Sequence, residues 1–386
     1  MKYWRGYLTA GIFGLFTWLL MEFAKTHAQI VDMVYPYISR MLQTTLAEWS
    51  GGVDFCLWQL LAVLLLLGVI ASIVLMVVLR WNPIQWFGWI LAVAAGIFFL
   101  HTGLYGLNTY AGPIADDLRL EVVEYTLDEL QEATVYYRDK ANALAGQVSR
   151  DAGGNPQFAD FDALALQAAN GFDAMTYDEY EPVFAGSRLP VKKLAWADLY
   201  TSMGITGVTM GITGEAAVNP QIPAVSLPFT ICHEMSHRNA IAIERDANFA
   251  AFLACRANES VEFQYSGYFM AYRYCYNALV SAGGSLQAQE VAGGESSLLK
   301  QDLAAYRDFF AGRQDQTATN LANKANDTYL KISGDEQGVA SYQDVSTLLV
   351  SLYHKEVVLP AQVIPEPEFD PLDSSQVDVT DIPRVW

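Results

Sequence analysis

The chain has 386 residues, 52% of them hydrophobic and only 17% charged. That is ample material for a buried core and excludes disorder as a description of the whole chain. The formal charge of −19 is segregated: residues 1–107 hold five Lys/Arg against four Asp/Glu, and the remainder 18 against 38. So acidic a second part argues against nucleic acid and against adhesion to anionic lipid, both of which need Lys and Arg.

Three apolar runs open the chain. The first covers about residues 6–24, with 16 uncharged residues in Gly6–Met21. The second, 55–79, and the third, 84–107, contain no Asp, Glu, Lys or Arg. A helix crosses the hydrocarbon core with roughly 20 apolar residues, so three transmembrane helices are expected in a membrane anchor spanning 1–107. For the first run a signal peptide is the rival reading, since Lys2 and Arg5 give it a positive start. Counting Lys2, Arg5 and Arg80 against Lys25, Arg40 and Arg119 is a tie for orientation. The two charges ahead of the first run favour an inside N-terminus, which leaves everything after Leu107 outside. Trp81, Trp86 and Trp89 gather at one end of a span, as interfacial aromatics do. His101 is the one ionisable group within the second and third runs, and it reads as an interfacial histidine; the anchor does not read as a transporter.

Residues 108–358 read as a mostly helical domain. Thr126 and Glu129 fit a capping box, followed at helical spacing by Leu130, Thr134, Tyr137, Ala141, Leu144 and Val148. Gly153 and Gly154 break that helix. The β-branched, glycine-spaced stretch from Ile205 to Ile212 predicts one or two short strands. Helix is expected again from Pro228 to about Asn277, then over 296–311 and 339–355. Residues 359–386 carry five prolines and many carboxylates and read as an acidic disordered tail. Four cysteines do not make a disulfide scaffold; a Cys255–Cys275 pair stays open, and Cys56 lies in an apolar run.

The chemistry is carried by His233-Glu234-Met-Ser-His237, an HExxH pattern. Residues four apart share a helix face, so two neutral imidazoles can hold one Zn²⁺ with Glu234 beside its open position. Zinc lowers the pKa of its water to roughly 7, and the carboxylate takes the proton as water attacks a carbonyl. A third ligand is needed. Glu244 follows, but on an unbroken helix it would lie about 10 Å further along and could not share the ion. The chain must therefore fold back near Arg238-Asn239-Ala240, with a second helix starting near Glu244 and Asn248 one turn on, placed to orient a ligand. Asp246 is the competing ligand; Glu259, Glu262 and His354 are outsiders. Cys232 points off the metal face and reads as core.

These residues resemble a bacterial domain-of-unknown-function family (DUF3810-like) of three-span membrane proteins with an HExxH domain, placed among the zincin-like metallopeptidases. The resemblance rests on Tyr105-Gly-Leu-Asn108, Gly211-Ile-Thr-Gly-Glu215-Ala-Ala-Val-Asn219 and Leu227-Pro-Phe-Thr-Ile-Cys-His-Glu-Met-Ser-His237. It rests equally on Glu244-Arg-Asp-Ala-Asn248 and its continuation to Cys255, on Tyr265-Ser-Gly-Tyr268, Asn323-Lys-Ala-Asn-Asp327 and Gly338-Val-Ala-Ser-Tyr342. The Glu-x-x-x-Asn spacing is similar to that of gluzincins and implies Glu244 as the zinc ligand. Members usually have Gly where Ala240 stands and Glu where Asp246 stands. In similar zincins an edge strand pairs with the substrate backbone, which makes 211–219 the expected substrate strand, with Glu215 or Asn219 holding a substrate amide. Tyr265, Tyr268, Tyr272 and Arg273 follow the ligand helix, and Tyr268 is the candidate for stabilising an oxyanion.

The expected protein is mainly α, with three N-terminal transmembrane helices and a mostly helical zincin-like domain holding a small β element. The expected activity is a zinc metallopeptidase in the bacterial plasma membrane, acting on a peptide or protein substrate on the extracytoplasmic side. An inactive zincin-fold scaffold and a zinc hydrolase of a non-peptide amide are the alternatives. An intramembrane protease is disfavoured by the hundred residues between the last span and His233. No motif marks a nucleotide, haem or flavin site.

Overall fold

The computed structural model describes residues 4–176, 181–333 and 345–362. Four long helices come first: α1 (Arg5–Thr26), α2 (Ala28–Ser50), α3 (Leu57–Val78) and α4 (Pro83–Leu104). Of these, α1, α3 and α4 are long and apolar enough to cross a membrane, each within three residues of the expected run. Asn82 accepts from the backbone N–H groups of Ile84 and Gln85 and Pro83 opens α4, so this start is set by local chemistry.

Helices α1 and α4 run parallel and in contact. Gly6 lies against the backbone of Gly88 and Trp89, and Phe13 packs beside Gly96. A Cβ at Gly6 would stand 2.4 Å from the Gly88 carbonyl carbon. Small residues allow such approach where lipid supplies no hydrophobic drive between helices. The ends of α1 and α4 therefore emerge on one side. Helix α3 starts on that same side, because its first N–H groups are held by the domain: Leu57 and Trp58 donate to Glu215 at 2.7 and 2.8 Å.

Helix α2 lies outside the three runs and carries no sequence expectation, because Asp32, Arg40 and Glu48 interrupt its apolar residues. It lies across the end of α4. Tyr35 donates to the carbonyls of Thr102 and Gly103, and Ser39 and Gln43 donate to that of Leu104. These are the carbonyls a helix end leaves without intrahelical partners. Its outward face exposes Ile30, Met33, Tyr37 and Met41.

A 3₁₀ turn (Gly106–Tyr110) and the short α5 (Ile114–Asp117) lead to α6 (Leu127–Ala145). The Thr126–Glu129 capping box is formed in both directions, and Leu130, Thr134, Tyr137 and Ala141 are buried. The helix ends at Gly146, ahead of the expected Gly153-Gly154 break. Then come α7 (Phe161–Thr176), α8 (Glu181–Phe184), β1 (Lys192–Lys193), α9 (Ala197–Ser202), β2 (Gly207–Met210) and β3 (Glu215–Val218). The expected β segment is thus one strand, whose hairpin partner is the 215–218 segment. Strand order is β1-β3-β2, with β1 parallel and β2 antiparallel to β3. Every residue of β3 is buried, whereas β2, an edge strand as β1 is, is half-buried.

The expected long helical stretch after Pro228 is three helices: α10 (Leu227–Arg238), α11 (Glu244–Ala257) and α12 (Val261–Ser281). They are followed by α13 (Ser285–Gly293), α14 (Ser297–Ala311), α15 (Gln316–Ser333), α16 (Val345–Tyr353) and α17 (Leu359–Gln362). One core joins α6, α7, α10, α11, α12 and α16 through Tyr137, Phe172, Ile231, Phe252, Phe269 and Leu349. All four cysteines are buried free thiols, so Cys255 and Cys275 do not pair. The expected tail beyond 362 and the Gly338–Tyr342 motif lie outside the described residues.

Candidate metal centre

Helix α10 starts with Pro228 in its first turn, and the Phe229 N–H at this end donates to the Ser266 hydroxyl of α12 at 3.1 Å. Ile231, Cys232 and Met235 are fully buried, which fixes the rotation of the helix. His233 and His237 then share the remaining face, their rings edge-to-face at 4.5 Å.

The helix stops where the third ligand requires it to. Ala240 sits at φ +73°, the Ile241 N–H reaches the Ser236 carbonyl, and the Ala240 N–H reaches that of His237. This is a Schellman ending with alanine at the left-handed position that glycine usually takes. The turn aims the Ile241 carbonyl at His237 Nδ1, 2.8 Å away. That bond selects the tautomer whose Nε2 lone pair is free for a metal. Helix α11 then begins at Glu244 itself.

Glu244 Oε2 lies 3.3 Å from His233 Nε2 and 3.5 Å from His237 Nε2. The two Nε2 atoms are 3.1 Å apart. A tetrahedral ion with bonds of about 2.0–2.1 Å has ligand–ligand edges of about 3.3 Å. The triangle therefore has the size of a zinc coordination face. Two imidazole nitrogens and one carboxylate oxygen are a zinc-type donor set, whereas magnesium and calcium favour oxygen throughout. Among the described residues, buried Glu244 Oε2 has no hydrogen-bond donor, the state expected of an atom kept for a metal. Among the described residues this is the one His/Cys/Asp/Glu group close enough to hold an ion. Asp246, the rival ligand, is engaged elsewhere: it accepts the Ile114 N–H at 3.1 Å and pairs with Arg245 at 2.8 Å.

Electrostatics without a metal match this geometry. Burial opposes charge at His237, but Glu244, Glu234 and the Ile241 carbonyl outweigh it and push the imidazole up to about 9. Burial also opposes charge at Glu244, yet the two imidazoles hold its carboxyl well below the usual range. At Glu234 burial wins and raises the carboxyl, against both imidazoles and the Thr209 hydroxyl.

Glu234 is 4% exposed and is placed by β2. Thr209 Oγ1 donates to its Oε2 at 2.7 Å. Gly207 abuts the same carboxylate, and a Cβ there would stand 2.2 Å from Oε1. Neither residue was singled out in the sequence, although both lie in its β-branched, glycine-spaced stretch. Ile241 and Tyr274 were missed too. The first acts through a backbone atom, which leaves no side-chain signature. Tyr274 donates to Asn248 Oδ1 at 3.0 Å, so Asn248 contacts a tyrosine, while its Nδ2 has no partner among the described residues.

The three remaining expectations are corrected. Tyr268 packs against Tyr137 and Phe252. Burial, aided by Tyr136 and Glu356 and opposed by Arg256, pushes its hydroxyl up to about 12; its surroundings belong to the far end of α11. Glu215, 2% exposed, caps α3 and pairs with Lys192 at 2.7 Å. Asn219 is wholly buried, donating to Ala197 O and Thr201 Oγ1 and accepting from Gln221 N. Both are framework residues, because β3 is the central strand. The edge strand beside the site is β2, residues 207–210, and not 211–219.

No curated protein and no solved structure matches the chain. Residues 31–350 match the family described as "Protein of unknown function (DUF3810)", a description that assigns no activity. This match covers most of the chain, and the protein belongs to the DUF3810 family.

Proposed function

We propose that this protein is a membrane-anchored zinc metallopeptidase. The observation that carries the reading is the triangle of His233 Nε2, His237 Nε2 and Glu244 Oε2, with 3.1–3.5 Å edges and the Glu234 carboxylate in the same helix turn. When bound, zinc supplies Lewis-acid chemistry: it makes water a nucleophile near pH 7 and polarises a carbonyl. The chain's own residues do the rest. Glu234 takes the proton from the attacking water and returns it to the leaving amine. Its raised proton affinity suits both steps. Thr209 fixes the carboxylate, and the Ile241 carbonyl fixes His237. Edge strand β2 offers backbone groups to an extended peptide, with Gly207 allowing close approach.

Three candidate crossings, with the domain at the end of α4, support a site on the side opposite the N-terminus. Lys2 and Arg5 ahead of α1 favour that side as the extracytoplasmic one, and we infer a bacterial plasma membrane.

The test is elemental analysis of detergent-purified protein together with turnover on a mixed peptide library. We expect close to one zinc per chain, lost in His237→Ala and kept in Glu234→Gln, with cleavage abolished in both. Zinc without any cleavage would point instead to an inactive zincin scaffold or to a non-peptide amide as substrate. Absence of zinc after reconstitution overturns the reading.

A further inference from the structure

A groove of about 740 Å³ lies between the start of β2 and the outer faces of α12 and α14. Each wall adjoins, in the chain, a residue that touches the surroundings of the metal cluster. On one wall Thr206 precedes Gly207, which abuts the Glu234 carboxylate. On the other Arg273 precedes Tyr274, whose hydroxyl reaches Asn248, one turn beyond Glu244.

The groove has a charge opposite to that of the protein. The chain carries −19, yet the lining holds Arg273, Lys300 and Arg307 against a single carboxylate, Glu295. That carboxylate is engaged by the Tyr272 hydroxyl at 2.5 Å. Arg273 is half-buried, with its guanidinium 3.9 Å from the centre of the Tyr306 ring. Its hydrogen bond goes to the Met270 thioether at 3.3 Å, a weak acceptor. No carboxylate pairs with it among the described residues, although the chain has 42 Asp and Glu. Arg307 contacts its exposed neighbour Asp308 at 3.3 Å. A stacked, half-buried guanidinium with free N–H groups matches a carboxylate, which it grips in bidentate fashion. A cleft lined by one sign of charge also concentrates ligands of the other sign.

We propose that this groove holds a carboxylate-bearing part of a peptide substrate, with Arg273 as the anchor and Lys300 and Arg307 drawing the anion in. The proposal rests on the peptidase reading and names its substrate class. The carboxylate can be an Asp or Glu side chain or the peptide's own C-terminus.

The test uses the full-length, zinc-loaded Glu234→Gln protein in detergent, which binds without turning over. Fluorescence anisotropy compares three fluorescein-labelled octapeptides of one alanine-phenylalanine core. The first is amidated and neutral, the second has a free C-terminal carboxylate, and the third is amidated with one internal Glu. We expect at least one carboxylate peptide to bind tenfold or more tighter than the neutral one. That advantage should shrink as salt rises, vanish in Arg273→Gln and survive in part in Arg273→Lys. Whichever carboxylate peptide leads identifies the source of the anion. Equal binding by all three, no binding by any, or an undiminished advantage in Arg273→Gln overturns the proposal. Failure of the peptidase reading is seen separately, as missing zinc or as absent cleavage of the mixed library by the wild type.

Discussion

The α-carbon of Gly207 lies so close to the Glu234 carboxylate that a Cβ there would stand 2.2 Å from Oε1 and 2.6 Å from Cδ. The edge strand and the HExxH helix are thus in contact at the carboxylate proposed to exchange a proton. In Gly207→Ala the carboxylate has to move, because the strand is held on its other side by β3. A displacement of about 1 Å in a catalytic group costs on the order of a hundredfold in rate. His233, His237 and Glu244 are not touched. We therefore expect turnover reduced by about a hundredfold with zinc content at the wild-type level; wild-type turnover would remove Glu234 from the proposed proton transfer.

The His233–His237–Glu244 triangle was legible in part from helix geometry, while the choice of Glu244 over Asp246 came from the resemblance to gluzincins. Spacing of four put His233 and His237 on one face, and a rise of 1.5 Å per residue forbade Glu244 on the same helix. The break after Arg238 was therefore required before it was seen. What was not legible depended on long-range packing. Glu215 and Asn219 sit in the same short segment as a plausible substrate strand, and nothing local says which strand is central and which is the edge. Tyr268 and Tyr274 differ by six residues of one helix and end up facing different neighbours, Phe252 in one case and Asn248 in the other. Helix α2 was invisible because its polar face is matched to the end of α4 and not to a repeating pattern.

Ala240 bears the turn that makes the site possible. A non-glycine residue at φ +73° is tolerated at some cost, and a β-branched one is worse. Ala240→Val should cost roughly 1–3 kcal/mol in the turn and displace the Ile241 carbonyl from His237 Nδ1. Zinc should then be lost to a chelator at least tenfold more readily, whereas Ala240→Gly should hold zinc like the wild type. Equal retention in the valine variant would mean that the turn does not position His237.

Glu215 joins the domain to the second span. Its carboxylate accepts the Leu57 and Trp58 N–H groups and pairs with Lys192, whose side chain is 12% exposed. Removing one member of a buried pair costs about 3–5 kcal/mol; Lys192 keeps its bonds to Ser50 O and Phe55 O, so the lower end applies. Glu215→Ala should lower the melting temperature in detergent by several degrees. The fraction that stays folded should cleave normally. Unchanged melting with a selective rise in KM would restore Glu215 as a substrate contact.

Zinc uptake should depend on pH with a definite sign. In the metal-free protein His237 is held up to about 9, so it is protonated at neutral pH. Coordination needs the neutral imidazole, and each zinc bound near pH 7 must therefore release close to one proton from this residue. Apparent affinity should rise by up to about tenfold per pH unit toward pH 9 and level off above it. Chelator competition at half-unit intervals gives the slope, and calorimetry in buffers of different ionisation enthalpy counts the protons. An affinity flat from pH 7 to 9 would show that His237 is already neutral, and that Glu244 does not stabilise its charge before the metal arrives.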